Sequence, residues 1–358
     1  MSDPTGVSII GSGIFVKEQH LPAVLACPSL SLKAIYSRSL ASAKSVSSSL
    51  SNPVDLYSDD SEKSYKDVLS RPDVQAVIIA LPILVQPDFI KQALSAGKHV
   101  LAEKPLAPDV KAGKELVDWY HKNVDDKKVN FSVAEQFRYY AAYQHAAKQV
   151  SQLGKVQGVK VRMHTCIQKG MKYIETEWRK KPQHQGGFLL DGGVHFIAGM
   201  RVVLGGGGVK VDRLSANTAL LQDYLPPVDT VDATLRLDNG STGSFAVSFG
   251  TSFEGAEWTV ACEKGTVSVD RTIVKTKPKG GEEKVEDVKD EVGGTANQEH
   301  VPIGSVMPEV FAWAKSLKEG KWDAKQSAEE GLADLEILEA LLKSGEKHGE
   351  PVTLKYQV

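Results

Sequence analysis

Short apolar runs separated by segments of helix length constrain this chain more than any other feature. Residues 7–10, 32–36, 74–80, 100–102 and 129–133 are compact and mostly apolar, and 54–57 is a shorter run of the same kind. Continuous apolar character at strand length fits strands covered on both faces. Between them, helices are predicted at 62–69, at 86–96 with Gly97 as its stop, and at 109–121 with Leu116, Val117 and Tyr120 on one side. Strands alternating with helices at this spacing predict an α/β fold built on a doubly wound parallel sheet.

After Glu135 the pattern changes. Residues 137–153 read as one long helix, and 156–163, 209–220, 231–237, 242–249, 258–261 and 266–269 read as alternating strands. Asn239-Gly240 marks a hairpin between two of them. Long strands in succession predict a large, mainly antiparallel sheet. Residues 275–297, charged and rich in Gly, predict a mobile loop. Helices at 308–318 and 327–347 follow, and 351–354 is a candidate edge strand. The division predicted is a nucleotide-binding domain at 1–134 and a second α/β domain at 135–358, whose final helices can pack back on the first. Too few helices remain to cover both faces of the second sheet, so its open face is expected to join two copies as a homodimer.

Composition removes other classes. With 43 Lys and Arg against 45 Asp and Glu, the formal charge of -2 gives no reason to expect a nucleic-acid or membrane-surface partner. Cys27, Cys166 and Cys262 are odd in number and far apart, which argues against a disulfide framework or a Cys-type zinc site. They fit a reducing compartment, and a cytoplasmic location is the expectation. The first residues show no basic segment followed by an apolar run, so no signal peptide is read. No apolar run reads as long enough to span a bilayer.

Chemistry-bearing residues cluster at predicted strand ends. Gly11-Ser12-Gly13-Ile14-Phe15-Val16 follows the first strand directly. Gly11 would permit a tight turn, Gly13 would let the backbone approach a pyrophosphate, and the amides after it would face the phosphates. Such a turn is weak evidence by itself, and its place between a strand and a helix strengthens it. His20, before Leu21-Pro22, reads as a helix-end or packing residue. At the end of the second strand, where a ribose-binding acid would select NAD, the chain has Ser37-Arg38. A hydroxyl and a guanidinium suit a 2′-phosphate, so NADP(H) is expected over NAD(H); a solvent-facing Arg is the bland alternative. Leu81-Pro82 ends the fourth strand and would place its loop beside the cofactor. Glu103-Lys104-Pro105 ends the fifth, leaving Lys104 at the edge where open α/β sheets bind ligands.

A second constellation is Glu177-Trp178-Arg179, then Gly186-Gly187 and Asp191-Gly192-Gly193-Val194-His195. On a helix predicted at 190–204, Asp191 and His195 share one face in the first turn. A carboxylate near a His can orient its ring and support its protonated form. The alternatives are a helix-terminal Asp beside a structural His, or zinc with His184 or His164 added. Metal is not expected, because neither Cys ligands nor a metal-binding spacing is present.

With Gly11-Ser12-Gly13, Glu103-Lys104-Pro105, Trp178-Arg179 and Gly186-Gly187-x3-Asp191-x3-His195 in that order, the chain resembles the glucose-fructose oxidoreductase / inositol dehydrogenase / MocA family, closest to its fungal NADP(H)-linked members. The resemblance covers nearly the whole chain. It implies a Rossmann domain followed by an α/β domain whose open sheet often forms a subunit interface. It implies that Lys104, Asp191 and His195 meet at the nicotinamide, that Trp178 and Arg179 help bind the cofactor, and that Glu135-Gln136 lies where the chain crosses under the nicotinamide. Val16 stands where a third Gly often sits, a mild departure.

The implied activity is hydride transfer between a nicotinamide and a sugar, polyol or small carbonyl compound. His195 would carry the proton with Asp191 orienting it, and Lys104 would stabilise charge on the oxygen or act as the base itself. The rival reading is a non-catalytic NADP-binding regulator, like the galactose-pathway repressors of fungi that share the fold. Retention of Lys104, Asp191 and His195 together favours an enzyme.

Overall fold

The computed structural model describes residues 3–291, Val301 and 304–358. The chain divides into two compact units: Met1–Glu135 with Val292–Val301 and Ser305–Gly331, and Gln136–Glu291 with Pro302–Gly304 and Leu332–Val358.

In the first unit, β1 (Thr5–Ile10) leads through the glycine turn and a π-helical turn at Val16–His20 into α1 (Leu21–Ala26). There follow β2 (Leu30–Ser37), α2 (Leu40–Ser47), β3 (Asp55–Ser58), α3 (Tyr65–Leu69), β4 (Ala76–Ile79) and α4 (Gln86–Ser95). β5 (His99–Glu103), α5 (Val110–Asn123) and β6 (Phe131–Ala134) complete the alternation. The six strands lie in the order β3-β2-β1-β4-β5-β6, all pairs parallel. Every residue of β4 is buried, as expected for a strand covered on both faces. The helix limits have local causes. Ser39 and Asp109 accept hydrogen bonds from the amides of Ser42 and Ala112, and Gly97 follows α4 at a φ of +72°. Pro22 falls in the first turn of α1, which continues without a break from the π-helical turn.

The second unit begins with a 3-10 turn at Gln136–Arg138, then α6 (Ala141–Gln152), β7 (Val156–Cys166), α7 (Glu177–Lys180) and α8 (Gly187–Gly205). β8 (Val211–Ala219), β9 (Thr230–Leu237), β10 (Thr242–Ser248), β11 (Gly250–Cys262) and β12 (Gly265–Asp270) follow. β13 (Ile273–Pro278) and β14 (Lys284–Asp287) come next. The chain returns to the first unit as α9 (Met307–Glu319), and ends with α10 (Ala328–Glu346) and β15 (Val352–Thr353). Among the described residues the second sheet has nine strands in the order β14-β13-β12-β11-β7-β10-β9-β8-β15, and β7 with β10 is its parallel pair. The short tail strand β15 lies at the sheet edge beside β8. One face is apolar and carries α6 and α8: Trp258 of β11 packs against Tyr143 and donates its indole N–H to the Phe196 carbonyl. The other face presents Lys160, Arg162, Asp232, Thr234 and Glu257 in register, all partly or fully exposed.

Four expectations need correction. The helix expected over 137–153 is split, because Tyr140 has extended backbone (φ -64°, ψ 125°) and α6 starts after it. Residues 275–297 are not a loop throughout: β13 and β14 form a hairpin whose turn carries Gly280 at φ +74°. Alternation was present there, with Val274 and Thr276 inward and Lys275 and Lys277 outward, but charge density obscured it. Residues 292–297 of that stretch lie outside the described residues. The strand expected at 258–261 extends over all of β11. Finally, α8 is by length and composition apolar enough to cross a membrane, yet it is mostly buried in its own unit, as a core helix is.

The first unit's core joins Val7, Ile9, Val24, Ile35 and Ile78 to Val306, Val310, Trp313 and Ala314 around α9. Trp313 has no exposed surface. Trp313→Ala is expected to destabilise that unit by about 3–5 kcal/mol through cavity formation. Chemical denaturation checks this, and an unchanged midpoint would contradict it.

Candidate active site

All six strands of the first sheet run parallel, so their carboxyl ends share one edge. The strand order reverses between β1 and β4, which leaves a crevice outside that edge. Gly11 opens it. Its φ is +133°, and a Cβ there would lie 2.3 Å from the Ala80 carbonyl oxygen. Gly13 is exposed, and a Cβ on it would meet nothing within 4 Å. The first glycine is therefore required by the chain itself, and the second leaves open space for a ligand. Ile14 and Phe15 are half-buried, while Val16 is buried in the unit's core.

At the end of β2 the Ser37 and Ser12 hydroxyls lie 2.7 Å apart. Arg38 is exposed and has no hydrogen bond or ion pair among the described residues. Neighbouring carboxylates already have partners. Asp59 accepts from the Tyr36 hydroxyl, and Asp60 accepts from the Ser58 hydroxyl and the Leu40 amide, which hold it below the usual carboxylate range. The same Asp59 contact and, above all, burial push the Tyr36 phenol up. After β4, Leu81 is half-buried and Pro82 exposed. After β5, Glu103 and Lys104 are half-buried, and the Lys104–Pro105 bond is cis. Glu135 is buried just past β6.

These features fit a dinucleotide. The backbone at Gly13 is unobstructed, hydroxyls flank the turn, and Arg38 offers a cation to a phosphate. Gly11, Ser12, Gly13, Ser37 and Arg38 would hold it.

The second unit brings together its own set. Gly186 and Gly187 have φ of +72° and +51°, and a Cβ on Gly187 would lie 2.1 Å from the Pro226 carbonyl oxygen. The paired glycines thus start α8 where no side chain fits. The helix begins earlier than expected, so Asp191 lies in its second turn rather than its first. Asp191 is buried, and its Oδ2 accepts from the Arg179 Nε at 2.8 Å. His195, one turn further on, is half-buried and stacks on the Phe137 ring at 5.2 Å between centroids, 17° between planes. Gln136, adjacent to Phe137, is buried. The Trp178 side chain lies outside what the structure describes. Burial pulls the His184 imidazole below its ordinary value, with Asp191 opposing and Arg179 reinforcing that direction. Among the described residues no group of three or more His, Cys, Asp or Glu is placed to hold a metal ion.

Four contacts were not read from the sequence. The fully buried His20 places Nε2 2.7 Å from Glu103 Oε1. Phe137 supports His195, and Arg138 and Arg201 both pair with the buried Asp334. Only the buried-strand setting of Glu103 hinted that its carboxylate would need a partner.

Gly11→Ala is expected to abolish dinucleotide binding, and its left-handed backbone alone should cost about 1–3 kcal/mol. Calorimetric titration with NADPH and a thermal melt check this; wild-type affinity in the variant would contradict it.

Residues 5–131 match the family described as oxidoreductase family, NAD-binding Rossmann fold, and residues 147–354 match the same family's C-terminal alpha/beta domain. Dehydrogenase FPY6 of Fusarium mangiferae is 36% identical over 98% of this chain and 99% of its own. D-xylose 1-dehydrogenase (NADP(+)) 2 of Haloferax volcanii is 27% identical over 94% of this chain and 96% of its own. Among solved structures, an oxidoreductase of Thermotoga maritima superposes with a TM-score of 0.81 at 28% identity, covering 98% of each chain. The glycine turn, the Glu-Lys-Pro corner and the Asp-His helix thus lie on a chain that belongs, across both units, to the Gfo/Idh/MocA oxidoreductase family.

Proposed function

We propose that this protein is an NADP(H)-dependent oxidoreductase that transfers a hydride between nicotinamide and a sugar, polyol or small carbonyl compound. The observation that carries the cofactor choice is Arg38, exposed and without a partner among the described residues, beside Ser37 at the end of β2. The relative named as an NADP(+)-linked D-xylose dehydrogenase supports both the cofactor and the substrate class.

When bound, the nicotinamide supplies or accepts the hydride. The chain's own residues handle the oxygen. Lys104, at the carboxyl end of β5, donates a hydrogen bond to it and offsets the negative charge that develops. His195 exchanges the proton, with Phe137 fixing its ring plane. Asp191, paired with Arg179, provides a fixed negative charge one helical turn away. Trp178, Arg179, Glu135 and Gln136 complete the proposed cofactor surroundings, and Leu81 and Pro82 line the loop after β4. A screen of sugars and carbonyl compounds followed by NADPH absorbance tests the reading. Tight NADPH binding with no turnover across the screen would favour a nucleotide-sensing regulator.

Arg38→Ala should weaken NADPH binding much more than NADH binding, by about 1.5–3 kcal/mol for a lost charge-assisted contact. Titration of both cofactors checks this, and equal losses would refute the assignment.

Lys104→Ala and His195→Ala should each lower turnover by roughly 10²–10⁴ while NADPH still binds. Asp191→Asn should cost less than loss of His195. Carbonyl reduction needs the protonated form of the acid, so the wild-type rate falls as pH rises. His195→Ala should lose that high-pH limb, and a limb that persists would assign the proton to Lys104.

A homodimer is expected through the open face that carries Lys160, Arg162 and Glu257. Light scattering at micromolar protein checks this; a monomer would reject it.

A further inference from the structure

Two buried side chains that take no part in the proposed steps converge on the corner that presents Lys104. His20, at the end of the π-helical turn, reaches the Glu103 carboxylate through Nε2 at 2.7 Å. Its ring meets Phe15 edge-on, 5.5 Å between centroids. Gln86, at the start of α4 and 1% exposed, donates through Nε2 to the Glu103 carbonyl and lies 3.5 Å from the Pro105 carbonyl. Both carbonyls only accept, so the amide nitrogen must face them and its orientation is settled. The carboxylate likewise only accepts, so His20 Nε2 donates. His20 Nδ1 has no partner among the described residues, and a proton there would be a buried donor with no acceptor.

Neither residue is an economical way to fill a core. Among the described residues each leaves a buried polar atom without a partner, Nδ1 of His20 and Oε1 of Gln86, where an apolar side chain of similar size would leave none. What the polar groups add is direction. Gln86 holds the backbone on both sides of Lys104, and His20 holds the side chain of the residue before it. His20 also belongs to the segment that issues from the Gly11-Ser12-Gly13 turn, so one hydrogen bond ties that segment to the residue before Lys104.

We infer that His20 and Gln86 are positioning residues that fix the Glu103-Lys104-Pro105 corner and so set where the Lys104 ammonium stands. The inference rests on reading this edge as the dinucleotide site, and its test separates the two. Lysine amines of the full-length protein are labelled by ¹³C reductive dimethylation, and the Lys104 signal is identified by its loss in Lys104→Arg. NADP⁺ affinity is measured in parallel by calorimetry. In His20→Phe and in Gln86→Leu, which keep size but remove the donors, the Lys104 signal should move to the narrow position of mobile surface lysines. NADP⁺ affinity should stay within about threefold of wild type. His20→Gln, which retains a donor near the same place, should restore the wild-type signal. A purely structural role would lower the melting temperature without moving that signal. An unchanged Lys104 signal in both folded variants overturns the inference, whether or not NADP⁺ binds. Failure of the wild type to bind NADP⁺ or NADPH overturns the cofactor reading instead, and the signal in ligand-free protein still decides the clamp.

Discussion

The first unit depends on one close passage of backbone. Leaving β1, the chain at Gly11 runs so near the Ala80 carbonyl that no side chain fits. The Gly11 amide donates to the Tyr36 carbonyl on one side of β1, while the Ala80 amide donates to the Ile10 carbonyl on the other. β1 is therefore stitched to both neighbours up to its last residue, and the turn after it has nowhere to go but over the carboxyl edge. Gly13 then lies in open space as a consequence of that direction. Val16 takes the place that a third glycine fills in many such turns. It is buried, and the π-helical turn begins at it.

The sequence displays most of this because the information is local. A buried parallel strand must be apolar on both faces, so β1, β4 and β5 stand out as unbroken runs. Residues at their ends are then located by counting, which is how Gly11, Arg38 and Lys104 could be placed on one edge. Pairings between distant segments are not local. His20 and Glu103 are 83 positions apart, and Arg138 and Asp334 are 196 apart. No periodicity links such residues, and each alone looks like an ordinary polar side chain. The β13–β14 hairpin failed for a different reason. Its outward Lys residues and Gly turn satisfied the description of a loop as well as that of a solvent-facing edge strand, and only the inward Val274 and Thr276 distinguish them.

In the second unit, the supports beneath His195 are as informative as the histidine. Phe137 stacks on its ring, and the next residue, Arg138, is pinned by a buried ion pair to Asp334, which also takes Arg201. Buried ion pairs are weak evidence for stability, since desolvation offsets much of their attraction, but removing one partner is costly because the other charge is stranded. The 3-10 turn that carries Phe137 is thus held in one place. A His supported in this way has a defined ring plane before any substrate arrives, which is what proton transfer at a fixed oxygen requires.

The pairing of Arg179 with Asp191 narrows what the acid can do. The Arg179 Nε engages the Asp191 carboxylate at 2.8 Å, with both side chains largely withdrawn from water. A carboxylate that already accepts a guanidinium N–H in such surroundings would lose a charge-assisted hydrogen bond by taking up a proton. It is therefore poorly suited to carry the proton of the reaction and well suited to act as a standing charge. Positive charge that develops one turn along α8 at His195, or on a reacting group nearby, would be favoured by that field. The two groups thus differ in environment: Asp191 is buried and paired with a guanidinium, whereas His195 is half-buried and stacked on Phe137.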